Sequence, residues 1–181
     1  MKIEKIVTGA LEENCYVLSF EGTCLIVDPG SDFTKIKKAV GTNKILGILV
    51  THVHFDHIGA LRDFLNENRR LKVYKKSNLA DNQTLTIGAF TCQVLYTPGH
   101  SSDSISFYFE QEKCMFTGDF LFKDTIGRCD LPTGDEKMMI VSLEKIKQYP
   151  DDITLYPGHG DTTTLAKEKK DNLYLQKETF Q

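Results

Sequence analysis

The chain has 181 residues, 40% of them hydrophobic, with 22 Lys and Arg against 25 Asp and Glu and a formal charge of -3. That length suits one compact domain with a real core and leaves no room for a second, so residues 1–181 read as a single domain. The near-neutral balance, free of any run of like charge, excludes the broad basic footprint that a phosphate backbone requires and argues against nucleic acid as a partner.

The opening MKIEKIVTGALEENCYVLSF alternates charged and apolar residues, unlike the unbroken apolar core of a signal peptide, and no later stretch is apolar enough for a membrane span. Five scattered cysteines (Cys15, Cys24, Cys92, Cys114, Cys129) form no CxxC pair and read as reduced thiols of a cytoplasmic protein. Strands are expected near 2–8, 14–20 and 23–27, ending at the Asp28-Pro29-Gly30 turn, with a short helix over 32–40. The apolar run 44–50 is too short for a helix and suits a buried strand that delivers the chain to His52. A helix follows over 57–68, then strands near 71–74, 84–87, 90–96, 104–110 and 113–117. A helix over 135–148, a strand over 153–156 and an amphipathic helix over 163–177 close the chain. Helices both interrupt and follow the strands, so two sheets with helices outside them is the expected architecture.

The segment Thr51-His52-Val53-His54-Phe55-Asp56-His57 places three imidazoles and a carboxylate directly after a buried strand. Core packing does not account for that density. The remaining histidines, His100 and His159, each follow a Pro-Gly turn at the end of an expected strand, so every histidine of the chain stands at a strand end. Imidazole nitrogen and carboxylate oxygen suit zinc, manganese or non-haem iron, and a strand end can hold such donors rigidly. Asp119 leaves a strand through Gly118 and could join them; taken alone, an Asp after Gly is as well explained as a turn cap.

These residues resemble the metallo-β-lactamase superfamily, whose HxHxDH signature is matched at His52, His54, Asp56 and His57. The turns at Asp28-Pro29-Gly30, Thr97-Pro98-Gly99-His100, Thr117-Gly118-Asp119 and Tyr156-Pro157-Gly158-His159 carry the likeness along nearly the whole chain. The resemblance implies an α/β fold, the four-layer αββα sandwich, with its metals at the sheet edges. Within the superfamily the sequence is similar to short, single-domain bacterial members of the glyoxalase II (hydroxyacylglutathione hydrolase) group, through 118–122, 126–132, 162–164 and 168–172. By that likeness His52, His54 and His100 bind one divalent metal, Asp56, His57 and His159 bind a second, and Asp119 bridges them, with Zn2+ expected and Fe or Mn as alternatives. Asp28 would support the ligating histidines, though a turn residue in Asp-Pro-Gly is an equally good reading. With 22 residues after His159, the C-terminal helical domain of full-length glyoxalase II is expected to be absent, so glutathione specificity does not carry over.

The chemistry implied is hydrolysis of a hydroxyacyl thioester by a hydroxide held between two metals, with a thiolate as the leaving group. Asp56, His57 and Asp119 are the expected catalytic groups, with Asp56 orienting the attacking water and Arg128 receiving the substrate's carboxylate; a solvated charge explains Arg128 equally well. The expected partner is a small-molecule thioester, with no nucleic acid and no membrane, and the protein is read as a monomer or small homo-oligomer. A rival on the same fold is a persulfide dioxygenase holding a single iron through His52, His100 and Asp119. A nuclease and a non-catalytic metal-binding module are the weaker alternatives.

Overall fold

A computed structural model of the chain describes residues 1–176. Its first sheet comprises β1 (Lys2–Thr8), β2 (Glu13–Phe20), β3 (Thr23–Val27), β4 (Lys44–Leu49) and β5 (Val73–Tyr74), hydrogen-bonded in that order. β1 to β3 form an antiparallel meander, whereas β3, β4 and β5 run parallel. The parallel pairs need crossovers. Helix α1 (Phe33–Val40) supplies one, and α2 (Phe55–Ile58) with α3 (Leu61–Glu67) supplies the other.

The second sheet takes β6 (Thr84–Ile87), β7 (Phe90–Tyr96), β8 (Ile105–Phe109) and β9 (Cys114–Gly118) as an antiparallel run. A small hairpin follows, β10 (Leu121–Phe122) and β11 (Thr125–Ile126), and then α4 (Glu136–Ile146). Strand β12 (Thr154–Pro157) lies parallel to β9, and β13 (Thr163–Thr164) is antiparallel at the edge. Helices α5 (Leu165–Asp171) and α6 (Leu173–Gln176) complete the described chain.

Side chains of a strand alternate between its faces, and here that alternation sorts the core into three layers. Tyr16 and Leu18 of β2, Leu25 and Val27 of β3, and Phe107, Phe109 and Phe116 of the second sheet pack between the sheets. Their neighbours Cys15, Val17, Cys24 and Ile26 face Ile36, Val40 and Phe64 of α1 and α3. Tyr108, Met115 and Leu155 face Met139, Leu143, Leu165 and Leu175 on the other side. Helix, sheet, sheet, helix is therefore the layer order, the αββα sandwich expected from the sequence. Four of the five cysteines are buried and all five are free thiols. Among the described residues no helix is long and apolar enough to cross a membrane.

Three local departures from the sequence reading have physical causes. The helix expected over 57–68 is broken into α2 and α3, because the Ala60 N–H turns away to the carbonyls of Pro29 and Gly30. The helix expected over 163–177 begins with an edge strand and breaks at buried Asn172, whose amide bonds the Thr125 carbonyl and the Glu168 carboxylate; residue 177 lies outside the described residues. The β10–β11 hairpin, turned at Asp124 with φ 64°, is too short to leave a periodic signal.

Strand direction, more than layering, decides which turns meet. Because β7 and β9 are both antiparallel to β8, and β12 is parallel to β9, the C-terminal ends of β7, β9 and β12 emerge at one edge of the second sheet. The end of β4 joins them there through Ile105 N–H donating to the Thr51 carbonyl at 2.9 Å. Substituting Phe107→Ala, which is 0% exposed between the sheets, should cost about 3–5 kcal/mol in denaturant unfolding at unchanged secondary structure. A loss under about 1 kcal/mol would mean that the inter-sheet layer is not the stabilising core.

Candidate metal centre

The four strand ends that meet carry all seven donors singled out in the sequence. Beyond β4 come His52, His54, Asp56 and His57; beyond β7, His100; at β9, Asp119; and beyond β12, His159. One group is formed by His52 Nε2, His54 Nδ1 and His100 Nε2, with His54 Nδ1 at 3.1 Å and 2.9 Å from the other two. A second comprises Asp56, His57 and His159, with Asp56 Oδ2 at 3.2 Å from His159 Nε2 and 3.8 Å from His57 Nε2. Asp119 faces both, its Oδ2 3.5 Å from His100 Nε2 and its Oδ1 3.3 Å from His57 Nε2.

The rings are aimed by what holds their outer nitrogens. His57 Nδ1 meets Asp28 Oδ2 at 3.0 Å, His100 Nδ1 meets the Arg128 carbonyl at 2.8 Å, and His159 Nδ1 meets the Leu11 carbonyl at 3.0 Å. His52 Nδ1 lies 3.2 Å from Thr51 Oγ1, which donates to Asp28 Oδ2. Each of these four rings thus turns its Nε2 into the common space. Asp28 also lies within reach of His52 and His57 as a third possible group of donors, but its contact with His57 is on the outer nitrogen.

Close backbone approach completes the arrangement. A Cβ on Gly158 would sit 2.3 Å from Asp119 Oδ1 and 2.6 Å from His57 Cε1, so the turn before His159 admits only glycine. That turn is tied to β2, because Asn14 N–H donates to the Gly158 carbonyl (2.7 Å) and the Tyr16 hydroxyl to the Pro157 carbonyl (2.6 Å).

Whether these residues fit metal ions can be asked of the buried polar atoms. His57 Nε2 and Asp119 Oδ1 are both buried and have no hydrogen-bond partner, although each is aimed into the cluster. Cations would satisfy both. Burial pushes the imidazole pKa of His52 well down and that of His54 down, keeping both rings neutral as ligands must be. Burial alone would raise Asp119, but His57, 3.3 Å away, and the neighbouring imidazoles hold its carboxyl well below the usual range. His57 feels the converse: burial opposes its charge, but Asp119 and Asp28 together raise it well above an ordinary histidine.

The metallo-beta-lactamase superfamily profile matches residues 8–78 and 83–159 of the chain. The chain belongs to the metallo-beta-lactamase superfamily. It is similar to the probable metallo-hydrolase YqgX of Bacillus subtilis strain 168, 33% identical over 97% of this chain and 98% of that protein. The hydroxyacylglutathione hydrolase GloC of Haemophilus influenzae is 29% identical over 97% and 98% of the two chains. Among solved structures, BLEG-1 B3 metallo-beta-lactamase superposes with a TM-score of 0.92 at 31% identity, over 97% of this chain and 100% of that one. As a member of this superfamily the chain is a metallo-hydrolase whose histidine and aspartate groups suit divalent metal ions.

Arg128 and Cys129 lie off the cluster. The Arg128 guanidinium is exposed and grips Asp130 through Nε (2.6 Å) and a terminal nitrogen (2.7 Å), and it is the residue's carbonyl that reaches His100. The Cys129 thiol is half-buried against Gly127, and burial pushes its pKa up.

Glu13 escaped the sequence reading. It is 0% exposed, accepts from Thr8 Oγ1 at 2.8 Å, and leaves Oε1 unpartnered 3.8 Å from His57 Nδ1. Its only sequence signal is a carboxylate heading a strand whose middle, Cys15 to Leu18, is apolar on both faces. Burial raises its pKa from the usual 4.5 to about 9, so the folded metal-free protein retains a proton that the unfolded chain releases. Stability from this group is complete below about pH 4.5 and is lost as pH rises through about 9. In metal-free protein, Glu13→Gln should flatten the fall in unfolding free energy across that window. An unaltered pH slope would show that Glu13 is already ionised in the fold.

Proposed function

We propose that this metallo-hydrolase of the metallo-beta-lactamase superfamily is a thioesterase of glyoxalase II type, acting on a hydroxyacyl thioester in a dinuclear site. The observation that carries the reading is the pairing of two three-residue donor groups around a shared carboxylate: His52, His54 and His100 on one side, Asp56, His57 and His159 on the other, Asp119 between. Those residues would hold two divalent ions, with zinc the first expectation and iron or manganese the alternatives. Such ions supply water of lowered pKa and polarisation of a carbonyl.

The chain's own groups favour a thioester among acyl substrates. Burial raises the Asp56 pKa, but the hydrogen bond from His159 outweighs it and keeps the carboxylate ionised. Asp119 is held ionised as well. Neither carboxyl therefore stands ready to protonate a strongly basic leaving group. A thiolate, with a pKa near 8.5, departs without that help. Asp56 Oδ2 accepts from His159 and is positioned to orient the attacking water. The likeness to GloC over nearly the full length of both chains supports the same choice. Arg128 would meet a substrate carboxylate only by leaving Asp130.

One feature of the cluster keeps the persulfide dioxygenase as a second reading. His52, His100 and Asp119 are a two-histidine, one-carboxylate set of the kind that holds a single ferrous ion. Metal content of protein purified without added metal, measured together with S-lactoylglutathione hydrolysis and oxygen uptake on glutathione persulfide, separates the two. Two metals per chain with thioester turnover are expected; one iron with oxygen consumption and no hydrolysis would replace the first reading with the second.

Asp56→Ala should lower turnover about 100-fold or more while leaving circular dichroism unchanged. Undiminished activity would remove Asp56 from its assigned role. Asp28→Ala should weaken metal binding about 10–100-fold in chelator competition, because His57 loses the partner of its outer nitrogen.

A further inference from the structure

Beside the donor cluster lies a cavity of about 570 Å3, and the His54 ring forms part of its wall. Its lining also includes Lys75 and Lys76, adjacent half-buried residues just beyond β5. Among the described residues neither ammonium enters an ion pair. Lys76 is held in place without being neutralised: its Nζ donates to the Ser102 carbonyl at 2.6 Å and stands 4.6 Å from the centre of the Tyr96 ring. Asp103, the acid among the described lining residues, has both oxygens engaged, Oδ2 by the Val53 N–H at 3.0 Å and Oδ1 by the Ser101 hydroxyl at 2.9 Å. The wall thus carries two cations and one carboxylate whose oxygens are already engaged, a net positive charge next to a residue of the proposed reaction centre.

We infer that this cavity is a subsite for an anionic group, carboxylate or phosphate, on the thiol carrier of the substrate, and that Lys75 and Lys76 bind it. The inference rests on the thioesterase reading for its occupant and on the two lysines for its charge. A thioester seated with its carbonyl at the donor cluster can extend its thiol part along the wall that His54 shares. Lysine suits this role as a mobile point charge that accepts either anion.

Two measurements separate the subsite from the reaction. The first is the ratio of kcat/KM for S-lactoylglutathione to that for S-lactoyl-N-acetylcysteamine, whose thiol part is neutral. Lys75→Glu and Lys76→Met should lower that ratio about tenfold, chiefly through KM for the charged ester, and Lys75→Arg should restore it. Rising salt should lower it in the wild type as well. The second is calorimetric binding of S-methylglutathione and of S-methyl-coenzyme A, thioethers that cannot be hydrolysed. Tighter binding of the first identifies carboxylates as the anion, tighter binding of the second identifies phosphates, and Lys75→Glu should weaken either about tenfold. Binding of neither by the wild type, or binding indifferent to Lys75→Glu, overturns the subsite whatever the enzyme hydrolyses. Lysine-dependent binding without turnover of any thioester keeps the subsite and overturns the thioesterase reading instead.

Discussion

Asp28 is the point on which the rest of the site depends. Its carboxylate, 2% exposed, accepts from the Thr51 N–H at 2.7 Å, the Thr51 hydroxyl at 2.5 Å and His57 Nδ1 at 3.0 Å. A buried carboxylate is costly unless its lone pairs are used, and three donors from the β4 end and α2 use them. The residue itself is held at φ 48°, a left-handed conformation unfavourable for a residue with a Cβ, by its own N–H donating to the Leu49 carbonyl. One side chain thus ties the end of β3 to the end of β4 and holds the His57 ring directly and the His52 ring through the Thr51 hydroxyl. With Asp28 in place, the HxHxDH segment has little freedom left, and the second sheet need only bring its own three ends to the same edge.

That pre-organisation concentrates unfavourable terms in one place. Five imidazoles and four carboxylates (Glu13, Asp28, Asp56 and Asp119) gather around the ends of β2, β3, β4, β7, β9 and β12, His57 Nε2 and Asp119 Oδ1 are left orphaned, and Glu13 Oε1 is a third unpartnered atom. The unpartnered atoms do not stabilise the metal-free fold. The compensation comes from the three apolar layers, where Tyr16, Phe107, Phe109 and Phe116 are buried and the rings of Tyr16, Phe116 and Tyr156 pack at centroid distances of 5.1–5.4 Å. Tyr16 belongs to both accounts, since its ring sits in the inter-sheet layer while its hydroxyl holds the Pro157 carbonyl before His159.

How much of this could be read in the sequence depends on how local each signal is. The donors were legible because they are chemically conspicuous and stand just beyond apolar runs, and the succession of short β-branched and aromatic runs, interrupted and followed by helices, was enough to expect two sheets with helices outside them. The interruptions were not. Ala60 abandons its helix for carbonyls thirty residues earlier, and Asn172 breaks another to satisfy Thr125, so each outcome is set by a partner that periodicity does not see. Glu13 and Asn14 were missed for the same reason, because their roles exist only once β2 lies beside His57 and the turn before His159. Arg128 shows the converse: its conspicuous side chain drew the reading, and what the sequence did not show is that its carbonyl meets His100 while the exposed guanidinium pairs with Asp130.

The division between fixed donors and variable walls has its origin in the same geometry. A donor at a strand end cannot move without disturbing a sheet, and Gly158 leaves no space beside His57 and Asp119 for a side chain to intrude. Discrimination between substrates must therefore be built elsewhere, on segments that can change without displacing a strand end. The Lys75–Lys76 turn beyond the two-residue strand β5 and the 101–103 turn after His100 are such segments, and both border the cavity beside His54. They are held together by side-chain and loop contacts, the Lys76 ammonium on the Ser102 carbonyl and the Asp103 carboxylate on the Val53 N–H, and not by sheet hydrogen bonds. Charge on that wall can then be altered while the donors keep their aim, which is how one metal-binding edge can serve substrates that differ in the part of the molecule farthest from the reacting bond.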